Sequence, residues 1–220
     1  GRASIAGSDG SPARPIQPDH HRAGPTNAAN RSAPSSRQKQ RVPSFSSPPF
    51  FPQNAPFSAM STSPSSPATA DLYDAHPSDV QVLDAGLIHY GGTKRFSGEV
   101  ATVHVHEDNV LMREMLGTDG NGRVLVVDGG ASTWCALLGD RMAQRAIDHG
   151  WSGVVLNACI RDSVEVQSLP VGILAVGTSP RKSRKNGVGA KNVPVTVGGC
   201  LIEPGHVLYA DEDGILVADH

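Results

Sequence analysis

Three short runs of apolar residues limit what this chain can fold into: Val124-Leu125-Val126-Val127, Gly153-Val154-Val155-Leu156 and Val171-Gly172-Ile173-Leu174-Ala175-Val176. A strand with one wet face alternates apolar and polar residues, whereas a strand covered on both faces does not. The first two runs are separated by a helical pattern from about Asp140 to His149. It places Met142, Ala143, Ala146 and Ile147 on one face and uses Gly150 as its C-cap. The first run is expected to end in Asp128-Gly129-Gly130, and the second at Asn157. Strands of this kind with intervening helices imply a sheet packed on both sides. Ahead of them, Gly98–Val105 alternates and reads as a strand. Asp108 then stands as N-cap before a helix over Val110–Leu116 that the Gly120-Asn121-Gly122 cluster stops. Asp71–Asp79 is a polar, helix-prone start with Leu72, Tyr73 and Val80 as its first apolar anchors. Further strands are expected at Val193–Val197, His206–Tyr209 and Gly214–Val217. This strand-rich second half argues for an α/β domain with a mixed sheet in β/β/α layers and against a pure doubly wound fold. No internal repeat is evident. Gly187-Val188-Gly189-Ala190-Lys191 lacks the spacing of a dinucleotide or P-loop fingerprint.

Composition enters because the averages conceal a seam. Of the 17 prolines, 12 lie in residues 1–70 together with 14 serines, and that segment carries a formal +5 against −7 for the remainder. Residues 1–70 are therefore expected to be a disordered Pro/Ser-rich tail, and 71–220 a single folded domain. Phe45, Phe50, Phe51 and Phe57 among the tail's prolines read as flexible tail, with a short linear motif as the alternative. Met60 is the expected native start. The alternative is an organelle transit peptide over residues 1–59, since that segment is rich in Arg and Ser and poor in acid. Cys135, Cys159 and Cys200 show no C-x-x-C spacing, which disfavours a disulfide scaffold or zinc ribbon. No apolar run approaches the ~18 residues of a membrane helix, so a soluble, cytoplasmic protein is expected, or an organellar one if the transit reading holds.

The best candidate for chemistry joins the second helix to the strand after it. Leu138-Gly139-Asp140-Arg141-Met142 places a glycine and a carboxylate at a helix start, where free N–H groups favour an anion. The strand from Gly153 leads into Ala158-Cys159-Ile160-Arg161-Asp162, and strand ends are where α/β folds collect ligand-binding groups. Asp140, Arg161 and Asp162 are thereby candidates for one cleft. A guanidinium holds a carboxylate through two parallel hydrogen bonds, and an aspartate beside it suits Mg²⁺ or Mn²⁺. Together these groups suit a small α-keto acid. The plain alternative is a surface Arg–Asp pair plus an Asp helix cap.

Several stretches, taken together, resemble the RraA-like family. They are Phe96-Ser97-Gly98, Glu107-Asp108-Asn109, Gly122–Gly130, Gly150–Val155, Leu208-Tyr209-Ala210-Asp211 and Asp213-Gly214-Ile215, and the likeness spans about Leu72–Ala218. The resemblance implies a swivelling-domain-like fold and one of two roles. The first is a class II, metal-dependent 4-hydroxy-4-methyl-2-oxoglutarate aldolase that also decarboxylates oxaloacetate. The second is a non-catalytic regulator that binds ribonuclease E-type machinery. The family's aldolases carry Asp-x20-Arg-Asp, and here twenty residues separate Asp140 from Arg161, with Asp162 next. By resemblance, Gly139, Asp140, Arg141 and Met142 bind the pyruvate end through backbone amides, and Arg161 holds the keto-acid oxygens. Asp162 ligates Mg²⁺ or Mn²⁺, and Asp140 orients metal-bound water. A homotrimer or dimer of trimers is implied, with active sites between subunits. Some family aldolases draw an acid from a longer C-terminal tail of a neighbouring subunit. This chain ends at His220, so that acid is expected to be absent or replaced.

Other features read more plainly. His104-x-His106 puts two imidazoles on one strand face, for a metal or as ordinary strand positions. Arg181-Lys182-Ser183-Arg184-Lys185 is expected to be a solvated loop. No aromatic residue neighbours it in sequence and the domain is acidic, so no direct nucleic-acid contact is expected. No Schiff-base lysine lies near the motif, because Lys94 and the Lys182–Lys191 group are distant in sequence. Trp151 reads as a packing anchor, and Cys135 and Cys159 as small buried hydrophobes.

Overall fold

The computed structural model describes residues 66–219. The Phe-rich stretch, the Met60 start and the transit reading lie outside the described residues. In chain order the elements are α1 (Thr69–Ala75), β1 (Val80–Val82), β2 (Ile88–His89), β3 (Phe96–Val105), α2 (Val110–Met115), β4 (Val124–Leu138) and α3 (Asp140–Asp148). There follow β5 (Gly153–Ile160), α4 (Ser163–Gln167), β6 (Gly172–Thr178), β7 (Gly189–Lys191), β8 (Val195–Val197), β9 (Cys200–Ile202), β10 (Val207–Ala210) and β11 (Ile215–Ala218).

The apolar runs form the centre of a nine-stranded mixed sheet, ordered β1-β11-β10-β3-β4-β5-β6-β2, with β7 also paired to β3. β3, β4, β5 and β6 run parallel, and α2, α3 and α4 form the crossovers between them. β10 lies antiparallel on the first half of β3, from Phe96 to Glu99, which leaves the second half to the parallel ladder. Successive side chains of a strand point to opposite faces, and each face has its own core. Val103, Leu125, Val127, Val154, Leu156 and Ile173 meet Met112, Met115, Ala143, Ala146 and Val166 from the helices. Val100, Val124, Val126, Val155 and Leu174 meet Val195, Val197, Cys200 and Ile202 from the separate β8–β9 pair. Strands covered on both sides are thus the reason for the unbroken apolar runs, and the layering is β/β/α. Each fully buried Val or Leu contributes roughly 1.5–3 kcal/mol relative to exposure.

Several elements depart from expectation. β4 does not stop at Gly130. Gly130 and Ala131 both take positive φ (65° and 53°) and make an irregularity, after which pairing with β5 resumes at Ser132↔Ala158, Ala136↔Cys159 and Leu138↔Ile160. β5 correspondingly continues to Ile160 and delivers Arg161 directly from a strand end. α1 is anchored by Thr69, not by its apolar residues: Leu72 is half-buried and Tyr73 exposed. The C-cap of α3 is His149, and Gly150 (φ 71°) is the residue beyond it. Asn109 is the N-cap of α2, while the Val110 amide donates to Asp108 Oδ1 at 2.9 Å. No helix among the described residues is long and apolar enough to cross a membrane.

Candidate functional site

A cleft of about 770 Å³ opens at the carboxyl ends of β3, β4 and β5. Its floor is Ala136–Met142, where β4 passes into α3, and Arg161 at the end of β5 joins it. Gly139, Asp140, Arg141, Met142 and Arg161 all line this one cleft. The register Leu138↔Ile160 and the bond from the Arg161 amide to Leu138 O (2.9 Å) bring the two strand ends together.

Gly139 is the N-cap of α3, so Asp140 is the first helical residue and not the cap. The amides of Met142 and Ala143 both donate to Gly139 O at 3.0 Å. The Arg141 amide donates to Asp140 Oδ1 at 2.7 Å. Two amides of the first turn expected to bind substrate, those of Arg141 and Met142, therefore already hold internal partners. The Asp162 carboxylate lies against the Gly139 Cα: a Cβ built there would stand 2.6 Å from Asp162 Oδ2 and 3.2 Å from Arg161 Nε. Asp162 adopts a left-handed backbone (φ 53°, ψ 41°). It is the N-cap residue of α4 but makes no side-chain capping bond, and its carboxylate turns back to Arg161 Nε at 3.2 Å. That Oδ2 is buried and accepts no properly directed hydrogen bond. Asp162 is not among the residues lining the cleft, but Gly139, on which its carboxylate rests, is.

The far wall is the basic loop, whose Arg181, Lys182, Arg184 and Lys185 are exposed as expected but whose backbone is not free. Lys182, Ser183 and Lys185 line the cleft, so lysines distant in sequence stand beside the motif in space. The loop is pinned along its length. Arg181 O accepts the Ala136 amide, and the Arg184 amide donates to Glu107 O. The amides of Asn186 and Gly187 donate to Asp108 Oδ2. Arg181 and Arg184 also lie over the ring of Trp134, 4.3 and 5.2 Å from its centroid. The loop therefore does have an aromatic neighbour, supplied by β4. Arg113 and Arg145 complete the wall. Sequence reasoning passed over Asn109, Arg113, Arg145, Lys182 and Lys185, because they reach the cleft from separate elements with no common spacing. In all, six Arg and Lys side chains line the cleft against three acids, Glu114, Asp140 and Asp148. An acidic domain thus concentrates positive charge at one opening.

The remaining candidates lie elsewhere in the bonding pattern. His104 Nδ1 is 3.2 Å from Asp128 Oδ2, and His106 Nε2 is 3.7 Å from Glu107 Oε1, so the two imidazoles face different carboxylates. Trp151 is buried and donates its Nε1–H to Thr118 O. Burial pushes the thiols of Cys135, Cys159 and Cys200 above their ordinary value; at Cys135 the Glu107 carboxylate adds to it. Among the described residues, no three His, Cys, Asp or Glu side chains converge as a metal cage.

Residues 69–217 match the model of the RraA-like family, described as Aldolase/RraA. A protein of Burkholderia multivorans named "Putative 4-hydroxy-4-methyl-2-oxoglutarate aldolase" is 51% identical over 156 residues, which is 69% of this chain and 95% of that one. One of Laribacter hongkongensis with the same name is 50% identical over 150 residues, covering 68% and 94%. Among solved structures, the RNA-processing inhibitor RraA from Thermus thermophilis shares 44% identity at a TM-score of 0.67, covering 69% of this chain and 92% of its own. A Geobacillus kaustophilus protein described as an S-adenosylmethionine:2-dimethylmenaquinone methyltransferase shares 51% at 0.68, covering 69% and 94%. The same fold thus carries three different functional descriptions, and the chemistry of the cleft has to separate them.

Proposed function

This chain belongs to the RraA-like family, and from that premise we propose that it is a divalent-metal-dependent 4-hydroxy-4-methyl-2-oxoglutarate aldolase that also decarboxylates oxaloacetate. The observation that carries the reading is the cleft's excess of cations around Arg161, next to a buried Asp162 oxygen without a hydrogen bond. A small polyanionic keto acid complements six cationic side chains. S-adenosylmethionine, with its positive sulfonium, does not.

Both reactions break a C–C bond and leave its electrons on pyruvate. In retro-aldol cleavage the 4-hydroxyl gives up its proton, the C3–C4 bond breaks, and the enolate then takes a proton at C3. In decarboxylation the corresponding bond breaks with loss of CO₂ and leaves the same enolate. Arg161, whose Nε is turned to Asp162, presents its terminal nitrogens to the keto acid and offsets the charge that develops on the enolate oxygen. Asp140 Oδ1 is held by the Arg141 amide, and the carboxylate at this first turn receives the hydroxyl proton directly or through water. Asp162 fits a divalent cation, because Mg²⁺ or Mn²⁺ takes one or two carboxylates and keeps several waters. Bound there, the ion supplies further positive charge to the enolate oxygen. The family assembly that accompanies this reading is a homotrimer or a dimer of trimers.

The test is a coupled assay of pyruvate release from oxaloacetate and from 4-hydroxy-4-methyl-2-oxoglutarate. Turnover is expected with Mg²⁺, lost in EDTA, and reduced by about a hundredfold or more in Asp162→Ala. Turnover that ignores EDTA removes the metal from the reading. The likeness to the Thermus inhibitor favours one second reading, a regulator of ribonuclease E-type enzymes. No turnover together with inhibition of such a nuclease would establish it instead.

A further inference from the structure

Arg145 stands five residues beyond Asp140 on α3 and lines the same cleft. Its Nε donates to Arg113 O at 3.1 Å, at the last turn of α2. Its guanidinium rests on Gly117: a Cβ built there would overlap Nη2 and stand 2.8 Å from Cζ. The bond and the bare glycine together fix where the fork lies. Only Nε is used by them; neither Nη takes part in a hydrogen bond or ion pair among the described residues. The nearest acid on its own helix, Asp148, is already engaged by Gln144 Nε2 at 2.8 Å. Arg145 is therefore a positioned, unneutralised cation in a ligand-sized cleft.

Its place on α3 gives it a partner. Five helical residues advance about 7.5 Å along the axis from Asp140. A five- or six-carbon keto diacid held at its keto end by Arg161 extends its second acid group across three or four carbon–carbon bonds of about 1.5 Å each. Arg141, one turn earlier on the same face, flanks that path. We propose that Arg145 is a specificity-determining residue whose two Nη groups take the distal carboxylate of a keto diacid. The proposal rests on the keto-acid reading above. The competing role is structural, a guanidinium that merely caps the carbonyl end of α2.

Calorimetric titration of the full chain with Mg²⁺ separates these roles without turnover. The probes are 2-oxoglutarate, which has a distal carboxylate, and 2-oxobutyrate, which has none. The wild type is expected to bind the diacid about tenfold or more tighter, the size of a charge-assisted hydrogen bond. Arg145→Met should bring the two affinities to within about twofold by weakening only the diacid. Gly117→Ala should do the same, because it keeps the charge but displaces the fork. A fall in melting temperature with the affinity ratio unchanged overturns the proposal, as does equal weakening of both ligands. A wild type that binds neither acid overturns the keto-acid reading and this assignment with it. A wild type that binds both but releases no pyruvate refutes only the aldolase, and the ratio still decides Arg145.

Discussion

Gly139 has no conformational need to be glycine, since its φ of −141° is open to any residue. Its need is space, because Asp162 Oδ2 and Arg161 Nε occupy the volume a side chain would take. Gly139→Ala must push the carboxylate or the guanidinium aside. Displacing reactive groups by about 1 Å costs on the order of a hundredfold in rate. The expected outcome is a fall of that order in kcat/KM with a melting temperature shifted by only about 2–4 °C, read by steady-state kinetics and a thermal melt. Unaltered kinetics would show that the contact between Gly139 and Asp162 has no catalytic use. The sequence placed Asp140 at a helix start and Arg161 and Asp162 at a strand end, where ligands collect; Asp140 and Arg161 do share one cleft, while Asp162 lies behind Gly139, outside its lining. The purpose of Gly139 and the left-handed backbone of Asp162 were not legible there. Both depend on two loops meeting, and no local pattern records that.

At the scale of elements, residues 179–187 show how little a basic run records beyond its exposure, for Arg181, Lys182, Arg184 and Lys185 are exposed as expected. Its charge pattern matches a solvated loop, but its amides and carbonyls are paired with β4 and with the turn before α2. Asp108 is the main tie. It is 2% exposed and accepts the amides of Val110, Asn186 and Gly187. Asp108→Ala leaves three amides short of an acceptor and is expected to cost roughly 2–4 kcal/mol in denaturant unfolding. It also releases Lys182 and Lys185 from the cleft wall, so KM for the keto acid should rise several-fold while kcat changes less. A stability loss without any change in KM would mean these lysines do not meet the ligand. The helices α2 and α3 were legible from their apolar period, with each expected cap one residue off, and the central strands from their apolar runs. The second half of β4 was not, because Asp-Gly-Gly normally ends a strand, and here two left-handed residues let it continue. The two- and three-residue strands β1, β2, β7 and β9 are too short to show a period at all.

Along the whole chain, the seam in composition separates a basic stretch over residues 1–70 from an acidic remainder, yet it conceals a second segregation within that remainder, where cations gather at one cleft. The two ends of the domain are also joined, by a contact between residues 142 apart in sequence. The Thr69 amide and hydroxyl both donate to the Asp211 carboxylate, at 2.8 and 2.6 Å, and so tie α1 to the turn between β10 and β11. Burial alone would raise the pKa of Asp211. The hydrogen bonds from the Thr69 hydroxyl and amide, and from the Asp213 and Gly214 amides, outweigh it and hold the carboxyl below its ordinary value. A carboxylate lowered on folding stabilises fully above its unfolded pKa, about 3.9, and that stabilisation is lost as pH falls through the lower, folded value. Asp211→Asn cannot ionise and should be less stable than the wild type by about 1–3 kcal/mol at neutral pH. The gap should stay constant down to about pH 5 and narrow below about pH 4. Denaturant unfolding of both proteins from pH 7 to pH 3 measures it, and amide exchange in Thr69–Ala75 should quicken in the variant over the same neutral range. A gap that widens on acidification would reverse the sign of the coupling and show that Asp211 is held protonated in the fold.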